Sequence, residues 1–362
     1  MAVAGARPNF MKVAPLMADF RRRGRERIAP ILVHTGQHYA PEMSDAFFRD
    51  LGIPEPEINL GVGSGSHASQ TAQVLERMEP VLEEHRPDAL MVVGDVNSTL
   101  AATLAAVTLG IPVAHVEAGL RSFDRDMPEE INRVLTDAVS HWLFTTEESA
   151  RENLLREGIA AGRIHFVGNV MIDTLLANLD RARKLDTLER LAIAPRGYAL
   201  LTLHRPSNVD DPSQLRGLMN VLEEIHGELP IVFPIHPRTK AAIEANLDGT
   251  IGSLRTTEPL GYLEFLQLMA NARVVLTDSG GIQEETTALG IDCLTLRDTT
   301  ERPITVSKGT NRLVGSDPAA LLIAFREVTK SPSRDHEAPP GWDGHAAARV
   351  VDILERDLKG LS

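Results

Sequence analysis

The sequence is poor in cysteine, in aromatic residues and in long apolar runs. Its single cysteine, Cys293, has no partner for an intramolecular disulfide, and its apolar neighbours favour a buried, unreactive thiol. No apolar run approaches the roughly 18 residues of a membrane-spanning helix, and the first residues lack the basic-then-apolar order of a signal peptide. These absences predict a cytoplasmic protein that spans no membrane.

Positive charge is also scarce. The 362 residues include 37 Lys and Arg against 50 Asp and Glu, so the formal net charge is −13. Such a chain repels the phosphates of nucleic acids and anionic membranes, and we expect neither as a partner. An anionic ligand would need a locally positive site.

Several chemical motifs are missing. The sequence has no Gly-x-x-x-x-Gly-Lys-Ser/Thr phosphate loop and no Gly-x-Ser-x-Gly elbow, and the glycines over 61–65 have the wrong spacing for a dinucleotide fingerprint. His34 and His38 lack the acidic partner of a zinc protease helix. Kinases, serine hydrolases and dehydrogenases are therefore disfavoured. Asp124 and Asp126 match the Asp-x-Asp pattern of metal-dependent sugar transferases, but so short a match favours a solvated loop.

Short segments rich in Val, Ile and Leu alternate along the chain with longer segments of helical periodicity. This alternation is typical of βαβ units that build a parallel sheet, so the predicted fold class is α/β. Strands are predicted near 2–5, 28–34, 88–93, 112–116, 142–145, 164–167, 198–203, 230–235, 250–254, 273–277 and 292–296.

The length predicts two domains at roughly 150 residues each. We place the first domain at 1–180 and the second at 181–344, with 180–197 as the linker between them. A last helix is predicted over 345–358, in the segment 345–362 that follows a break rich in Pro, Gly and Ser. We expect it to pack back on the first domain.

Polar residues follow the predicted strands one after another. Ligands of open α/β sheets bind beyond the carboxyl ends of the strands, so these residues are the candidate site. In the first half they are Arg7, His34, Gln37, His38, Asp95 and Glu117, and in the second half His204, Arg205, His236, Arg238, Asp278, Ser279 and Arg297.

Three of the candidate residues also have a purely structural interpretation. Asp95 precedes a predicted helix and would serve as its N-cap. Glu129 follows Pro128, where acids stabilise a helix N-terminus. His204 would be a structural histidine. Glu117 favours a functional role, because it ends an apolar strand where an unpaired carboxylate is costly to bury.

The segment from Thr277 to Glu285 predicts a strand that ends in Ser-Gly-Gly and a helix that begins there. The free N–H groups and the positive end of that helix suit a phosphate. An ordinary glycine-containing turn is equally compatible with these residues. Glu285 would lie one turn into the helix, within reach of a ribose hydroxyl. Arg297, Arg302 and Lys308 would add positive charge.

Together these segments resemble the non-hydrolysing UDP-N-acetylglucosamine 2-epimerases. The likeness runs from residue 4 to about residue 315, and the joint order and spacing of its motifs make it specific. The motifs are Gly5 to Lys12, Thr35-Gly36-Gln37-His38, Gly94-Asp95, His115 to Arg121, Pro128 to Arg133, His204-Arg205, His236-Pro237-Arg238, Thr277 to Glu285, and Thr300-Glu301-Arg302-Pro303.

The resemblance implies two Rossmann-like domains in a glycosyltransferase-B arrangement with an interdomain cleft, and a homodimer. It implies interconversion of UDP-GlcNAc and UDP-ManNAc, with no NAD, metal or other cofactor. It assigns acid/base chemistry to Asp95, Glu117, Glu129 and His204. It assigns nucleotide contacts to Arg7, Lys12, Phe265, Ser279, Gly280, Gly281, Glu285 and Arg302. In some members a second UDP-GlcNAc is an activator, and the residues that match its site are Gln37, His38, Arg205 and His236.

The implied reaction expels UDP from C1, exchanges the C2 proton and adds UDP back to 2-acetamidoglucal. Which carboxylate removes the proton stays open. Alternatives are a hydrolysing epimerase that releases ManNAc and UDP, an epimerase of a modified UDP-diacetamido sugar, a glycosyltransferase of the same architecture, and a noncatalytic nucleotide-sugar sensor. Two residues depart from the family pattern: Ser207 replaces a frequent Glu, and Asp292 replaces a usual Pro and puts a carboxylate at the start of a buried strand.

Overall fold

The computed structural model describes residues 1–36, 50–247, 252–330 and 337–360. The chain forms two compact units. The first comprises Met1–Ala177 and Pro340–Ser362, and the second comprises Asn178–Pro339. Each unit is a parallel sheet with helices between its strands, which confirms the predicted α/β class and the two Rossmann-like halves.

The first unit contains a seven-stranded parallel sheet. The strands are β1 (Ala2–Ala4), β2 (Leu32–His34), β3 (Ile58–Asn59), β4 (Leu90–Val93), β5 (Val113–Val116), β6 (Trp142–Thr145) and β7 (Ile164–Phe166). Their order in the sheet is β3-β2-β1-β4-β5-β6-β7. The residues of β4, β5 and β6 are all buried, as in a parallel sheet that helices cover on both faces. The helices are α1 (Arg7–Arg23), α2 (His67–His85), α3 (Asn97–Thr108), α4 (Pro128–Val139), α5 (Glu148–Arg156) and α6 (Val170–Ala182), with a 3₁₀ turn over Ala161–Arg163.

The second unit contains a six-stranded parallel sheet. Its strands are β8 (Ala199–Thr202), β9 (Ile231–Pro234), β10 (Arg255–Thr257), β11 (Val274–Thr277), β12 (Asp292–Thr295) and β13 (Asn311–Leu313). Their order in the sheet is β10-β9-β8-β11-β12-β13. Its helices are α7 (Thr187–Arg190), α8 (Pro206–Val209), α9 (Pro212–Glu228), α10 (Pro237–Asn246), α11 (Tyr262–Asn271), α12 (Gly280–Leu289), α13 (Ile304–Ser307) and α14 (Pro318–Lys330). One apolar core joins α9 and α14 to one face of this sheet.

The last helix, α15 (Ala346–Leu358), belongs to the first unit and packs against α1. At its start, the Asp173 carboxylate accepts hydrogen bonds from the backbone N–H groups of Ala346 (3.1 Å) and Ala347 (2.7 Å). Near its end, Glu355 pairs with Arg23 of α1 at 3.1 Å. A carboxylate at one end and an ion pair at the other therefore fix α15 on this unit.

The structure departs from the sequence predictions where the local signal is weak. Of the strand predicted near 250–254, residues 250 and 251 lie outside the described residues, and 252–254 form no strand. The strand lies instead at β10, whose residues Arg-Thr-Thr carry no apolar pattern. The sequence also misses β3 and β13, which have two and three residues. The stretch 180–197, predicted as a linker, contains the end of α6 and all of α7.

Two predictions about single residues have clear outcomes. Cys293 is buried, and burial raises the pKa of its thiol to about 11, which confirms the unreactive cysteine. Asp292, at the start of β12, is paired with Arg273 at 2.9 Å. The Arg273 guanidinium therefore neutralises the charge that Asp292 introduces in place of the usual, uncharged proline. No described helix is long and apolar enough to cross a membrane.

Candidate functional site

Asp95 lies just beyond β4, in the turn that leads into α3. The N-cap of α3 is Val96, without a side-chain cap, so the interpretation of Asp95 as a capping residue is wrong. Its carboxylate instead accepts a hydrogen bond from the Arg133 guanidinium, and its backbone carbonyl accepts one from Asn132 Nδ2 at 2.9 Å. Helix α4 therefore holds Asp95 by both backbone and side chain.

Glu117 lies just beyond β5 with a backbone φ of 73°, a left-handed conformation that is rare for a residue with a side chain. Its carboxylate is buried, and Oε1 contacts the Lys12 ammonium of α1 at 2.7 Å. The Lys12 ammonium offsets the free-energy cost of burying the Glu117 carboxylate. That cost is the reason why the sequence favours a functional role for Glu117. Lys12, predicted as a nucleotide contact, is thus an ion-pair partner of a predicted acid/base residue.

Glu129 and Glu130 occupy the first turn of α4. Glu129, the predicted acid/base residue, is half-buried. Glu130 is buried and accepts hydrogen bonds from the backbone N–H groups of Ser122 (2.9 Å) and Phe123 (3.0 Å). Although burial favours its neutral form, these bonds and Arg133 hold the pKa of Glu130 below its usual range. Glu130 therefore shapes the loop before α4, whose Asp124 and Asp126 are exposed as predicted.

A fully buried polar cluster lies beneath these two acidic loops. His115 Nδ1 contacts Asp137 Oδ1 at 2.6 Å, and His115 Nε2 contacts the Gly94 carbonyl at 2.8 Å. Asp137 Oδ2 accepts a hydrogen bond from the Gly119 N–H (3.0 Å) and forms an ion pair with Arg121 Nη2 (2.7 Å). Sequence reasoning misses Asp137, because an acid within a helical pattern is ordinarily exposed.

In the second unit, His204 and Asp278 form a dyad beyond β8 and β11. His204 Nδ1 contacts Asp278 Oδ1 at 2.7 Å, and Asp278 Oδ2 accepts from the N–H groups of His204 (2.9 Å) and Arg205 (2.8 Å). Burial opposes ionisation, but these contacts hold the pKa of Asp278 below its usual range. An ionised carboxylate at this distance favours the His204 tautomer that has its proton on Nδ1. The His204 side chain is 41% exposed, unlike a structural core histidine.

The His236 ring lies beside the His204 ring, with centroids 5.7 Å apart. Of the four residues that match an activator site, Arg205 and His236 are half-buried or exposed near the ends of β8 and β9. Gln37 and His38 lie outside the described residues, as does the side chain of Arg7.

Helix α12 begins as the Ser-Gly-Gly segment predicted, with Ser279 as an N-cap that makes no side-chain cap bond. A Cβ at Gly280 would lie 2.8 Å from Arg302 Nη1, so the guanidinium is next to the helix N-terminus. Arg302 is itself fixed by Glu284, whose Oε2 lies 2.8 Å from Arg302 Nε. A buried cation beside free backbone N–H groups suits a phosphate.

Glu285 lies one turn into α12 and is buried. Burial raises the pKa of its carboxyl to about 8, despite a 3.4 Å hydrogen bond from the Tyr262 hydroxyl that lowers it. Phe265, the other predicted nucleotide contact nearby, is half-buried on α11. Within the described ranges, no group of three or more His, Cys, Asp or Glu side chains is placed to hold a metal ion.

The chain is similar over nearly its whole length to proteins of one family. The family model described as UDP-N-acetylglucosamine 2-epimerase matches residues 21–355. The UDP-N-acetylglucosamine 2-epimerase of Methanocaldococcus jannaschii is 45% identical over 361 residues, which is 97% of each chain. The UDP-2,3-diacetamido-2,3-dideoxy-D-glucuronate 2-epimerase of Pseudomonas aeruginosa is 39% identical over 360 residues, 98% of this chain and 99% of the relative.

Solved structures agree with the sequence relatives. The crystal structure of the M. jannaschii UDP-GlcNAc 2-epimerase in complex with UDP-GlcNAc and UDP has a TM-score of 0.90 and 43% identity, and covers 98% of this chain and 99% of that one. The Neisseria meningitidis UDP-GlcNAc 2-epimerase bound to UDP-GlcNAc has a TM-score of 0.89 and 32% identity, with 98% and 99% covered. Because the family model matches most of the chain and relatives of up to 45% identity cover nearly all of it, the chain belongs to the UDP-N-acetylglucosamine 2-epimerase family.

Proposed function

We propose that this protein epimerises UDP-GlcNAc to UDP-ManNAc reversibly at C2. The observation that carries the proposal is the pair of acidic loops after β4 and β5, where α1 and α4 hold Glu117 and Asp95. A relative of 43% identity has been crystallised with UDP-GlcNAc and UDP, which supports the same substrate here. The second unit is proposed to bind the nucleotide and the first to move the proton.

The C2 proton of the sugar is not acidic, because no carbonyl adjoins it, so direct deprotonation would be slow. We propose that UDP leaves C1 first. The N-terminus of α12 and Arg302 suit the diphosphate, and their charge stabilises it as it departs. We assign proton exchange to Nε2 of His204, and the contact of its Nδ1 with the Asp278 carboxylate supports this assignment.

Loss of UDP leaves an electron-poor sugar whose C2 proton a carboxylate is able to remove. Asp95, Glu117 and Glu129 are the proposed acid/base set. Protonation of the 2-acetamidoglucal from the other face and return of UDP to C1 give the epimer.

Incubation with UDP-GlcNAc in D₂O, followed by proton NMR, tests the proposal. We expect UDP-ManNAc and UDP-GlcNAc that both carry deuterium at C2. Product without solvent label would exclude proton exchange at that carbon. Free ManNAc with UDP would instead identify a hydrolysing epimerase.

A second candidate substrate is a UDP-diacetamido sugar acid, because a relative of 39% identity carries that activity in its name. The same NMR experiment with UDP-2,3-diacetamido-2,3-dideoxy-glucuronate distinguishes the two. A kcat/KM for the diacetamido sugar that exceeds the value for UDP-GlcNAc would reassign the substrate and keep the reaction.

We also propose that the protein is a homodimer through an apolar face of α4. Ile131, Leu135 and Val139 are spaced four residues apart, and each is 41–47% exposed. Leu75 of α2 is exposed beside them and lines the same cavity as Ile131. Light scattering after gel filtration should give a dimer for the parent and a monomer for Leu135→Lys. The matched control is Ile323→Lys on α14, where Ile323 is 60% exposed and a dimer is expected; a parent that elutes as a monomer would contradict the proposal.

A further inference from the structure

The fully buried pair of His115 and Asp137 has no part in the reaction described above. Both side chains have 0% exposure, so neither reaches a substrate. A buried histidine and carboxylate cost free energy to desolvate, and apolar residues of similar volume would often be equally stable in their place. Their hydrogen-bond partners show what the task is.

The partners of His115 determine its protonation. Nδ1 contacts a carboxylate oxygen at 2.6 Å and Nε2 contacts the Gly94 carbonyl at 2.8 Å. A carbonyl oxygen only accepts. Asp137 also accepts from the Gly119 N–H and forms an ion pair with Arg121, and His115 and Arg121 hold its pKa below the usual range against the effect of burial. Acceptor oxygens therefore face both ring nitrogens of His115, and both nitrogens donate to them only when the ring is an imidazolium.

These contacts tie together three segments that bear the acid/base residues. His115 Nε2 fixes Gly94, the residue before Asp95. Asp137 Oδ2 fixes the N–H of Gly119, two residues after Glu117. Asp137 itself is on α4, where Asn132 and Arg133 hold the Asp95 backbone and carboxylate.

Gly94 and Gly119 both need this support. Each has a positive φ, 66° and 81°, and Glu117 between them has 73°. Such turns are not fixed by local preferences, so outside contacts must hold them. The Gly94 Cα also lies so close to the Lys12 and Glu117 pair that an added Cβ would come within 2.9 Å of Lys12 Nζ. A shift of this turn would therefore move both acidic groups.

We propose that His115 and Asp137 are positioning residues, a buried hydrogen-bonded clamp that holds Asp95 and Glu117 at fixed places relative to each other. The proposal rests on the epimerase function inferred above. The clamp acts on the chemical step, since it touches the turns that carry the acids and none of the groups assigned to the nucleotide. Misplacement of a reacting group by about 1 Å is able to cost on the order of 100-fold in rate.

Two substitutions of Asp137 separate geometry from charge. In Asp137→Asn, the amide Nδ2 donates to His115 Nδ1, and the amide oxygen still accepts from Gly119 and Arg121. Every hydrogen bond survives while His115 becomes neutral with its proton on Nε2. We expect kcat within about threefold of the parent. Asp137→Ala removes the bonds, and we expect kcat to fall by about 10- to 100-fold with KM and UDP affinity unchanged. Asp137→Ser serves the same purpose if the alanine variant does not fold.

The matched control is Asp173→Ala. Asp173 is also a buried carboxylate of the first unit that accepts two backbone N–H groups, but those belong to α15. We expect lower stability and an unchanged kcat. If Asp137→Ala, counted per UDP-binding site, kept the parent kcat, the pair would be merely structural and the clamp overturned. A loss of kcat in Asp137→Asn as large as the loss expected for Asp137→Ala would also overturn the proposal, because it would show that the charge of Asp137 matters and not the position that its hydrogen bonds maintain.

Nitrogen NMR of the full chain labelled with ¹⁵N-histidine tests the clamp without activity. At pH 7 the parent should show both His115 ring nitrogens protonated, and Asp137→Asn should convert one of them to the unprotonated type. An unprotonated His115 nitrogen in the parent would refute the imidazolium. If the parent exchanges no deuterium into C2 of UDP-GlcNAc, the proposed function fails, while this spectrum still decides the clamp.

Discussion

Replacement of Glu285 by glutamine should stabilise the protein, and increasingly so as the pH rises. The carboxyl is 6% exposed, and burial raises its pKa from 4.5 to about 8. Between these two values the folded chain holds a proton that the unfolded chain releases. Stability is therefore lost as pH rises, by about 1.4 kcal/mol per pH unit for one proton.

The magnitude follows from that slope. At pH 5 the buried acid costs the folded state less than about 1 kcal/mol, and at pH 7 about 3 kcal/mol. Glutamine has nearly the same shape, keeps an acceptor for the Tyr262 hydroxyl and never ionises. Glu285→Gln should thus unfold at nearly the same urea concentration as the parent at pH 5 and at a clearly higher one at pH 7 and 8.

Urea unfolding followed by far-UV circular dichroism at pH 5, 6, 7 and 8 measures this difference. Glu258→Gln is the control, because its carboxylate is 79% exposed and should show no pH-dependent gain. A constant difference between Glu285→Gln and the parent across the range would refute the buried neutral acid. Weaker UDP binding by the stabilised variant would add that Glu285 is kept for the ligand.

Three further substitutions test the site. Gly280→Ala should fold normally, because the added methyl group would clash only with the ends of the Arg302 and Glu301 side chains. It should weaken UDP binding by about 10- to 100-fold, as measured by calorimetry. Unchanged affinity would remove this helix N-terminus from the nucleotide site. Asp278→Asn should lower kcat by about 10²- to 10⁴-fold, since the amide no longer fixes the His204 proton on Nδ1, and a parent-like rate would exclude the dyad. Glu117→Gln should keep UDP affinity and lose about 10²- to 10⁴-fold in C2 deuterium exchange, and full exchange would remove this carboxylate from the mechanism.

Much of the fold could be predicted from the sequence because the signal is local. The strand at Trp142–Thr145 has the predicted bounds, and α15 begins within one residue of the predicted 345–358 helix, since apolar periodicity needs only near neighbours. Prediction from the sequence fails where the local apolar pattern is weak. The Arg-Thr-Thr strand β10 is paired because β9 offers an edge, and no property of those three residues indicates it.

The candidate site divides in the same way. Two features of the site could be predicted from the sequence alone, because they depend only on the order of residues along the chain. Polar residues follow the strands, and Ser-Gly-Gly begins a helix. The partners were decided by the tertiary structure: Lys12 meets Glu117 across 105 residues of sequence, and Arg133 meets Asp95 across 38. Asp137 beneath the acidic loops and the neutral Glu285 depend on burial. Charge pairing and desolvation act through space, so the sequence named the groups, and only the fold determined which are paired, buried or protonated.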